Sequence, residues 1–175
     1  WPGALEDAAA ATERTALGES TRYRTLTPQQ ADDFGAIADR IIPPDDAPGA
    51  RDAGVVFFAD RFLATFSPHR KPAFDKALAD VHDAVVQRAP NAASFAALSA
   101  ADQDEVLRSI ESSGSFATLR VITIAGYFSH PRYGGNRDGA AWKAIGMVDR
   151  MAWTPPFGYY DRPEVMAQLL PRSKA

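Results

Sequence analysis

Residues 116–128, FATLRVITIAGYF, form the most apolar stretch of the chain, and they decide its fold class. A helix drawn through the stretch carries apolar residues on more than one side: Leu119, Ile122, Tyr127, Val121 and Ile124. This distribution predicts a central helix buried nearly all round. The Val, Ile and Thr content of residues 119–124 favours a strand instead. The length of the stretch and the helical patterns on either side of it favour the helix.

Helix-start signals occur along the preceding part of the chain. Residues 27–30 (TPQQ) combine a threonine cap, a proline for the first turn and a glutamine that can complete a capping box. Further helices are expected to begin near Asp52, at Ser67-Pro68 and at Ser99. No segment alternates convincingly with a period of two residues. The sequence therefore predicts an all-α fold, a compact bundle of about five to seven helices.

The composition changes after Ser129, since residues 129–175 contain five of the 13 prolines. The pattern there predicts a loop, a short helix at about residues 140–147 and an irregular C-terminal tail rich in proline and aromatic residues. Three regions follow: an N-terminal arm over 1–26 after a removed signal, a helical domain over 27–147, and an extended tail over 148–175. The tail is expected to pack on the domain or on a partner.

The composition excludes several functions. The 175 residues include no cysteine, so the chain has no disulfide, no Cys-ligated cluster and no covalently attached c-type haem. A net charge of −3 provides no basic face for nucleic acid, and no apolar run is long enough to span a membrane. The three histidines do not have metal-ligand spacings, and there is no dinucleotide fingerprint. We therefore predict no catalytic, cofactor-binding or metal-binding residue in this chain.

The stretch from Gly126 to Gly146 is the most distinctive part of the sequence. Eight of the 18 aromatic residues lie between Tyr127 and Tyr160. The Gly-Gly-Asn run at 134–136 tolerates positive φ, and Asp138 is placed to cap the short helix that follows. One interpretation is a well-packed corner. The other is a loop that binds a partner, together with the tail. The candidate partner-binding residues are Tyr127, Phe128, His130, Arg132, Tyr133, Gly134, Gly135, Asn136, Asp138, Trp142, Trp153, Phe157, Tyr159 and Tyr160.

Three blocks of sequence carry a resemblance to a known family. The first, within residues 34–50, contains IADRIIPPDD followed by PGA; the second contains AGV at 53–55 and FAD at 58–60. The third runs from Gly126 to Gly146 and contains GYFS, YGGN, DG and WK. In order and spacing, these blocks resemble the gluconate 2-dehydrogenase subunit 3 family. Ala140-Ala141 stands where that family often has a further glycine before tryptophan.

The resemblance implies a non-catalytic small subunit of a periplasmic dehydrogenase for sugars or polyols. Its partner would be a large FAD-bearing subunit of the glucose–methanol–choline oxidoreductase type, and a third subunit with haem c often takes the electrons onward. In that family the small subunit typically carries a twin-arginine export signal and escorts the folded flavoprotein. A start at Trp1 rather than at methionine is expected of a precursor whose signal has been removed, and equally of a sequence shortened at its N-terminus.

Two other functions remain open from the residues themselves. A stand-alone sugar-active enzyme would use His130, Asp138 and Tyr133 for acid–base chemistry. A ligand-binding module would hold an anion in the backbone nest of residues 134–136. Both depend on how the loop folds.

Overall fold

The computed structural model describes residues 10, 11, 13, 14, 22–149, 157–159 and 162–165. Most of the predicted arm over 1–26 and much of the tail over 148–175, including Trp153 and Tyr160, lie outside the described residues. The helices within the described part are α1 (Pro28–Ile41), α2 (Val55–Arg61), α3 (Lys71–Arg88), α4 (Ala100–Ser109), α5 (Gly114–Tyr127) and α6 (Ala140–Ala144). Every regular element of this part is helical, which confirms the all-α prediction.

The caps of α1 and α4 are those that the sequence predicts. Thr27 Oγ1 accepts the Gln30 N–H at 3.1 Å, and Gln30 Oε1 accepts the Thr27 N–H at 3.0 Å, so the capping box is complete. Ser99 Oγ accepts the Asp102 N–H at the start of α4. These bonds are local, so short sequence patterns are sufficient to predict them.

The connection between α2 and α3 differs from the prediction. A π-helical turn over Phe62–Phe66 follows α2, and a 3₁₀ turn over Pro68–Arg70 precedes α3. Ser67 makes no side-chain capping bond, so the start signal at Ser67-Pro68 marks a 3₁₀ turn rather than a capped α-helix. A π-helical turn widens the helix by one residue. Here it brings Phe66 against Tyr133 of the loop, with ring centroids 6.0 Å apart.

Helix α5 lies at the centre of the packing, against α3, α2 and α1. Its inner face buries Leu119, Ile122 and Gly126. The expectation that α5 is buried nearly all round is wrong, because Val121 is 54% exposed and Ile124 is 40% exposed. Three neighbouring helices cover only one side of it, and the other side, although apolar, faces outward.

A buried ion pair on α2 holds the segment that precedes α1. The carboxylate of Asp60, which has no exposed surface, accepts backbone N–H bonds from Arg24, Thr25 and Leu26. It also accepts a bond from the guanidinium of Arg61. The chain therefore enters the bundle at a point fixed by one charged side chain.

None of the described helices has the length and apolar character needed to cross a membrane.

Candidate functional site

The loop between α5 and α6 begins with a close contact between two glycines. A Cβ on Gly135 would overlap the carbonyl oxygen of Gly126 and would lie 2.9 Å from the carbonyl carbon of Gly126 and from Ser129 Oγ. A Cβ on Gly126 would lie 2.8 Å from Cδ1 of Phe58 on α2. The loop therefore folds back directly onto the end of α5, at a distance that only glycine permits.

Asn136 holds the loop together from within. Its side chain is completely buried; Nδ2 donates to the Ser129 carbonyl at 2.9 Å, and Oδ1 accepts the Ala141 N–H at 2.8 Å. The second bond satisfies a free N–H at the start of α6, so Asn136 performs the capping role predicted for Asp138. That prediction is wrong: the Asp138 side chain is 77% exposed and makes no capping bond.

The loop is also fastened to the two earlier blocks of sequence. Tyr127 donates its hydroxyl to the carbonyl of Pro48 at 2.9 Å, and Arg137 donates its backbone N–H to the carbonyl of Ala53 at 3.1 Å. Burial, with a smaller contribution from the charge of Asp45, raises the pKa of Tyr127 above its usual value, so the hydroxyl remains a proton donor. The three blocks thus form one spatial unit.

Aromatic rings connect the outer part of the loop. Tyr133 contacts His130 with centroids 6.1 Å apart, and His130 contacts Trp142 edge-on at 5.4 Å. Trp142 donates its indole N–H to the carbonyl of Phe128 at 3.0 Å, which ties α6 to the end of α5. Such packed rings give the loop a defined shape.

The candidate partner-binding residues separate into two groups by exposure. Tyr127, Gly134, Gly135 and Asn136 are buried within the chain, where they build the loop. Exposed members include Phe128 at 39%, Phe157 at 66% and Tyr159 at 62%. Arg132 and Asp138 are also exposed, and His130, Tyr133 and Trp142 are half-buried. The interpretation as a packed corner describes the first group, while the second group is available to a partner.

The residues proposed for acid–base chemistry are not assembled into a catalytic pair. His130 Nδ1 accepts the Arg132 N–H at 3.2 Å, and its Nε2 lies 3.6 Å from Oδ2 of Asp149. The Asp138 carboxylate instead lies 3.9 Å from Nε of Arg137. No group of three or more His, Cys, Asp or Glu side chains among the described residues could hold a metal ion.

A cleft of about 670 Å³ opens between the turn after α1 and the start of α6. Its walls include four aspartates, which are Asp45, Asp46, Asp52 and Asp138. Arg137 and Lys143 offset only part of this negative charge. This lining disfavours an anion in the cleft. Residues 134–136 do not line it, so the expectation of an anion in their backbone nest stays a prediction.

We expect Asn136→Ala to lower the free energy of unfolding by about 2 kcal/mol, since it removes the bonds that Asn136 makes to the partly buried Ser129 carbonyl and to the buried Ala141 N–H. Alanine is also strained at φ 48°. Asn136→Gly removes the same bonds without that strain, so it should lose about 1 kcal/mol less. Urea unfolding of the unaltered chain and the two variants measures the contribution of the hydrogen bonds and that of the backbone strain. A loss below about 0.5 kcal/mol for Asn136→Ala would show that these bonds do not hold the loop.

The comparison with protein families identifies the class of protein that this fold and loop define. The family model described as gluconate 2-dehydrogenase subunit 3 matches residues 28–149, which is more than half of the chain and includes all three blocks. The chain belongs to the gluconate 2-dehydrogenase subunit 3 family. No curated protein and no solved structure matches it. The family's members are subunits of a multi-subunit dehydrogenase complex.

Proposed function

We propose that this chain is the non-catalytic small subunit of a periplasmic FAD-dependent dehydrogenase acting on sugars or polyols. It stabilises the large flavoprotein subunit of the glucose–methanol–choline type and escorts it during twin-arginine export. The flavin belongs to that large subunit, and haem c belongs to a third subunit where one is present. This chain supplies binding surface only.

The proposal rests on the structure of the stretch from Gly126 to Gly146, the most distinctive part of the sequence. Gly126, Gly135 and Asn136 build a tightly closed loop, and that loop holds Phe128 at the surface. His130 and Asp138, the candidate acid–base residues, each contact a different group. A loop built in this way supports recognition of a protein partner rather than chemistry on a small substrate.

The proposed function predicts that the chain and the flavoprotein purify together at a ratio near one to one. Co-expression of both precursors, followed by fractionation, should place the flavoprotein and its FAD in the periplasm. When the small subunit is omitted, we expect at least about a tenfold loss of periplasmic flavoprotein. The isolated chain should contain no flavin absorbance and should not oxidise sugars with an artificial electron acceptor.

Two results would refute this function. One is a flavoprotein that folds, binds FAD and is exported normally without the small subunit. The other is sugar turnover by the isolated chain that disappears in His130→Ala, which would restore the stand-alone enzyme. The His82→Ala variant, at an exposed position on α3, is the matched control for that measurement.

A further inference from the structure

The outward face of α5 carries an apolar stripe that no described element covers. Ala117, Val121, Ile124 and Phe128 follow one another at spacings of four, three and four residues, so they lie along one side of the helix over roughly 16 Å. The opposite side already forms the core. Arg120 is the one charged residue among the 14 of this helix. Helix α5 therefore has two apolar faces, and the domain uses one of them.

The stripe continues onto the segment after α6. Trp142 bonds to the Phe128 carbonyl, and the Met147 N–H donates to the Trp142 carbonyl at 2.7 Å. These bonds hold the segment that carries the exposed side chains of Ile145, Met147 and Val148 beside the end of α5. We define the α5 patch by its six large exposed side chains: Val121, Ile124, Phe128, Ile145, Met147 and Val148. Nine such side chains are exposed in the described part of the chain, so the patch contains most of them. Such clustering is typical of a binding surface.

Two arginines border the stripe. Arg70 lines a groove with Ala73, Ala117 and Val121 on one side. Arg120 lines a second groove that faces α1 and α4 and that also contains two other arginines and two acids, Asp104 and Glu111, so its charge is positive by one. Arg70 and Arg120 are both exposed, and neither forms an ion pair with a described residue. Arg40 and Arg88, in contrast, pair with aspartates. An apolar stripe with unpaired arginines at its edges is complementary to an apolar surface that has carboxylates at its rim.

This charge pattern distinguishes between a second copy and a different partner. In a two-fold dimer, the same surface faces itself, so the arginines at the border would meet a rim of the same net positive charge. Like charges brought together at an interface oppose association. A partner with aspartates or glutamates around an apolar centre meets no such repulsion. The arginines therefore favour a different chain over a second copy.

We infer that the α5 patch is the surface through which this chain binds the large subunit of its dehydrogenase, and that the facing surface is apolar with an acidic rim. This inference rests on the proposed function, which supplies the partner. It adds the place of contact, which lies mainly outside the 126–142 loop. It also assigns roles to Val121, Ile124, Arg70 and Arg120, which the sequence patterns did not identify as binding residues.

The test compares two valine substitutions in the full chain. Val121→Glu places a charge in the patch, while Val86→Glu, at a position 48% exposed on α3, is the matched control outside it. Because both positions are exposed, both variants should fold, and circular dichroism melting confirms this. Titration against the purified flavoprotein subunit should show Val121→Glu binding at least about 30-fold more weakly, and Val86→Glu binding like the unaltered chain.

A second variant tests the acidic rim. Arg120→Glu should weaken binding about tenfold, and the loss should shrink as salt is raised, because an attraction between opposite charges is replaced by repulsion. Normal binding by both Val121→Glu and Arg120→Glu would overturn the inference and leave the proposed function intact. If the unaltered chain does not bind the flavoprotein, the inference about the α5 patch and the proposed function are both wrong. Sedimentation that shows self-association abolished by Val121→Glu would assign the patch to a second copy and overturn the inference.

Discussion

Asp60→Asn is expected to lower the free energy of unfolding by about 3–5 kcal/mol, because it removes the carboxylate that pairs with the buried guanidinium of Arg61. The side chains of Asp60 and Arg61 are 0% and 4% exposed, so water has little access to either group to replace the carboxylate. An asparagine can keep its oxygen toward the N–H groups of Thr25 and Leu26, but its NH2 group then replaces Oδ2 and faces the Arg61 guanidinium and the Arg24 N–H, which are also donors. The substitution keeps the shape of the side chain, so the loss reports charge and hydrogen bonding.

The measurement is urea unfolding followed by circular dichroism, with Asp83→Asn on the exposed side of α3 as the control for loss of one carboxylate. That control should change stability by less than about 0.5 kcal/mol. The single variant Arg61→Met and the double variant complete a mutant cycle. Because both single variants leave one buried charge, the double variant should lose less than the sum of the two.

The same substitution should release the segment before α1. The Arg24 N–H loses its bond to Oδ2, and the remaining bonds of residues 24–26 go to a neutral amide oxygen instead of a carboxylate, so limited trypsin digestion should cut at Arg22 or Arg24 sooner in Asp60→Asn than in the control. If Asp60→Asn unfolds within about 1 kcal/mol of the unaltered chain and is cut no faster, Asp60 does not anchor this segment.

Gly135→Ala is the second substitution with a large expected effect, a loss of at least about 3 kcal/mol or a rearranged loop. The added Cβ would overlap the Gly126 carbonyl oxygen, and the obstacle is backbone at the end of α5 rather than a movable side chain. Relief requires the loop to move away from α5. That movement would break the bond of Asn136 to the Ser129 carbonyl.

Gly114→Ala is the matched control for the same chemical change. A Cβ on Gly114 meets no atom within 4 Å, and the residue lies in the first turn of α5. Alanine there should be neutral or should stabilise the chain by up to about 1 kcal/mol. Unfolding of the two variants in urea separates the close approach at Gly135 from the general effect of replacing glycine. Equal stability of the two variants would show that the loop does not depend on this contact.

Much of the helical fold is predictable from local pattern. Thr27 with Gln30, and Ser99 with Asp102, form caps within three residues, so the bonds depend on neighbours in sequence. The stretch at 116–128 is a helix, as its length predicts. Its burial is not predictable in the same way, because apolar residues lie on both sides of α5 and only one side is covered. Periodicity identifies an apolar face, but only the packing of α1, α2 and α3 decides which face is covered.

The sequence predicts where the candidate site lies and part of what its residues do. The Gly-Gly-Asn run does make the tight loop, and the exposed Phe128 remains a candidate for partner binding. The sequence pattern predicts the cap at Asp138, whose side chain can bond nearby backbone N–H groups, whereas in the structure Asn136 reaches the Ala141 N–H from inside the turn. The sequence pattern allows a positive φ at Asn136, but it does not predict the positive φ that Asp138 also adopts.

The sequence by itself determined the helical class, two of the caps and the resemblance to a family of dehydrogenase subunits. These rest on short-range periodicity and on motifs whose residues are close along the chain. Tertiary structure alone decided that Asp60 binds residues 24–26, that Tyr127 reaches Pro48 and that the α5 patch faces outward. The physical reason is that burial and long-range hydrogen bonds depend on how the helices pack. The same apolar residue is core on one side of α5 and a binding surface on the other.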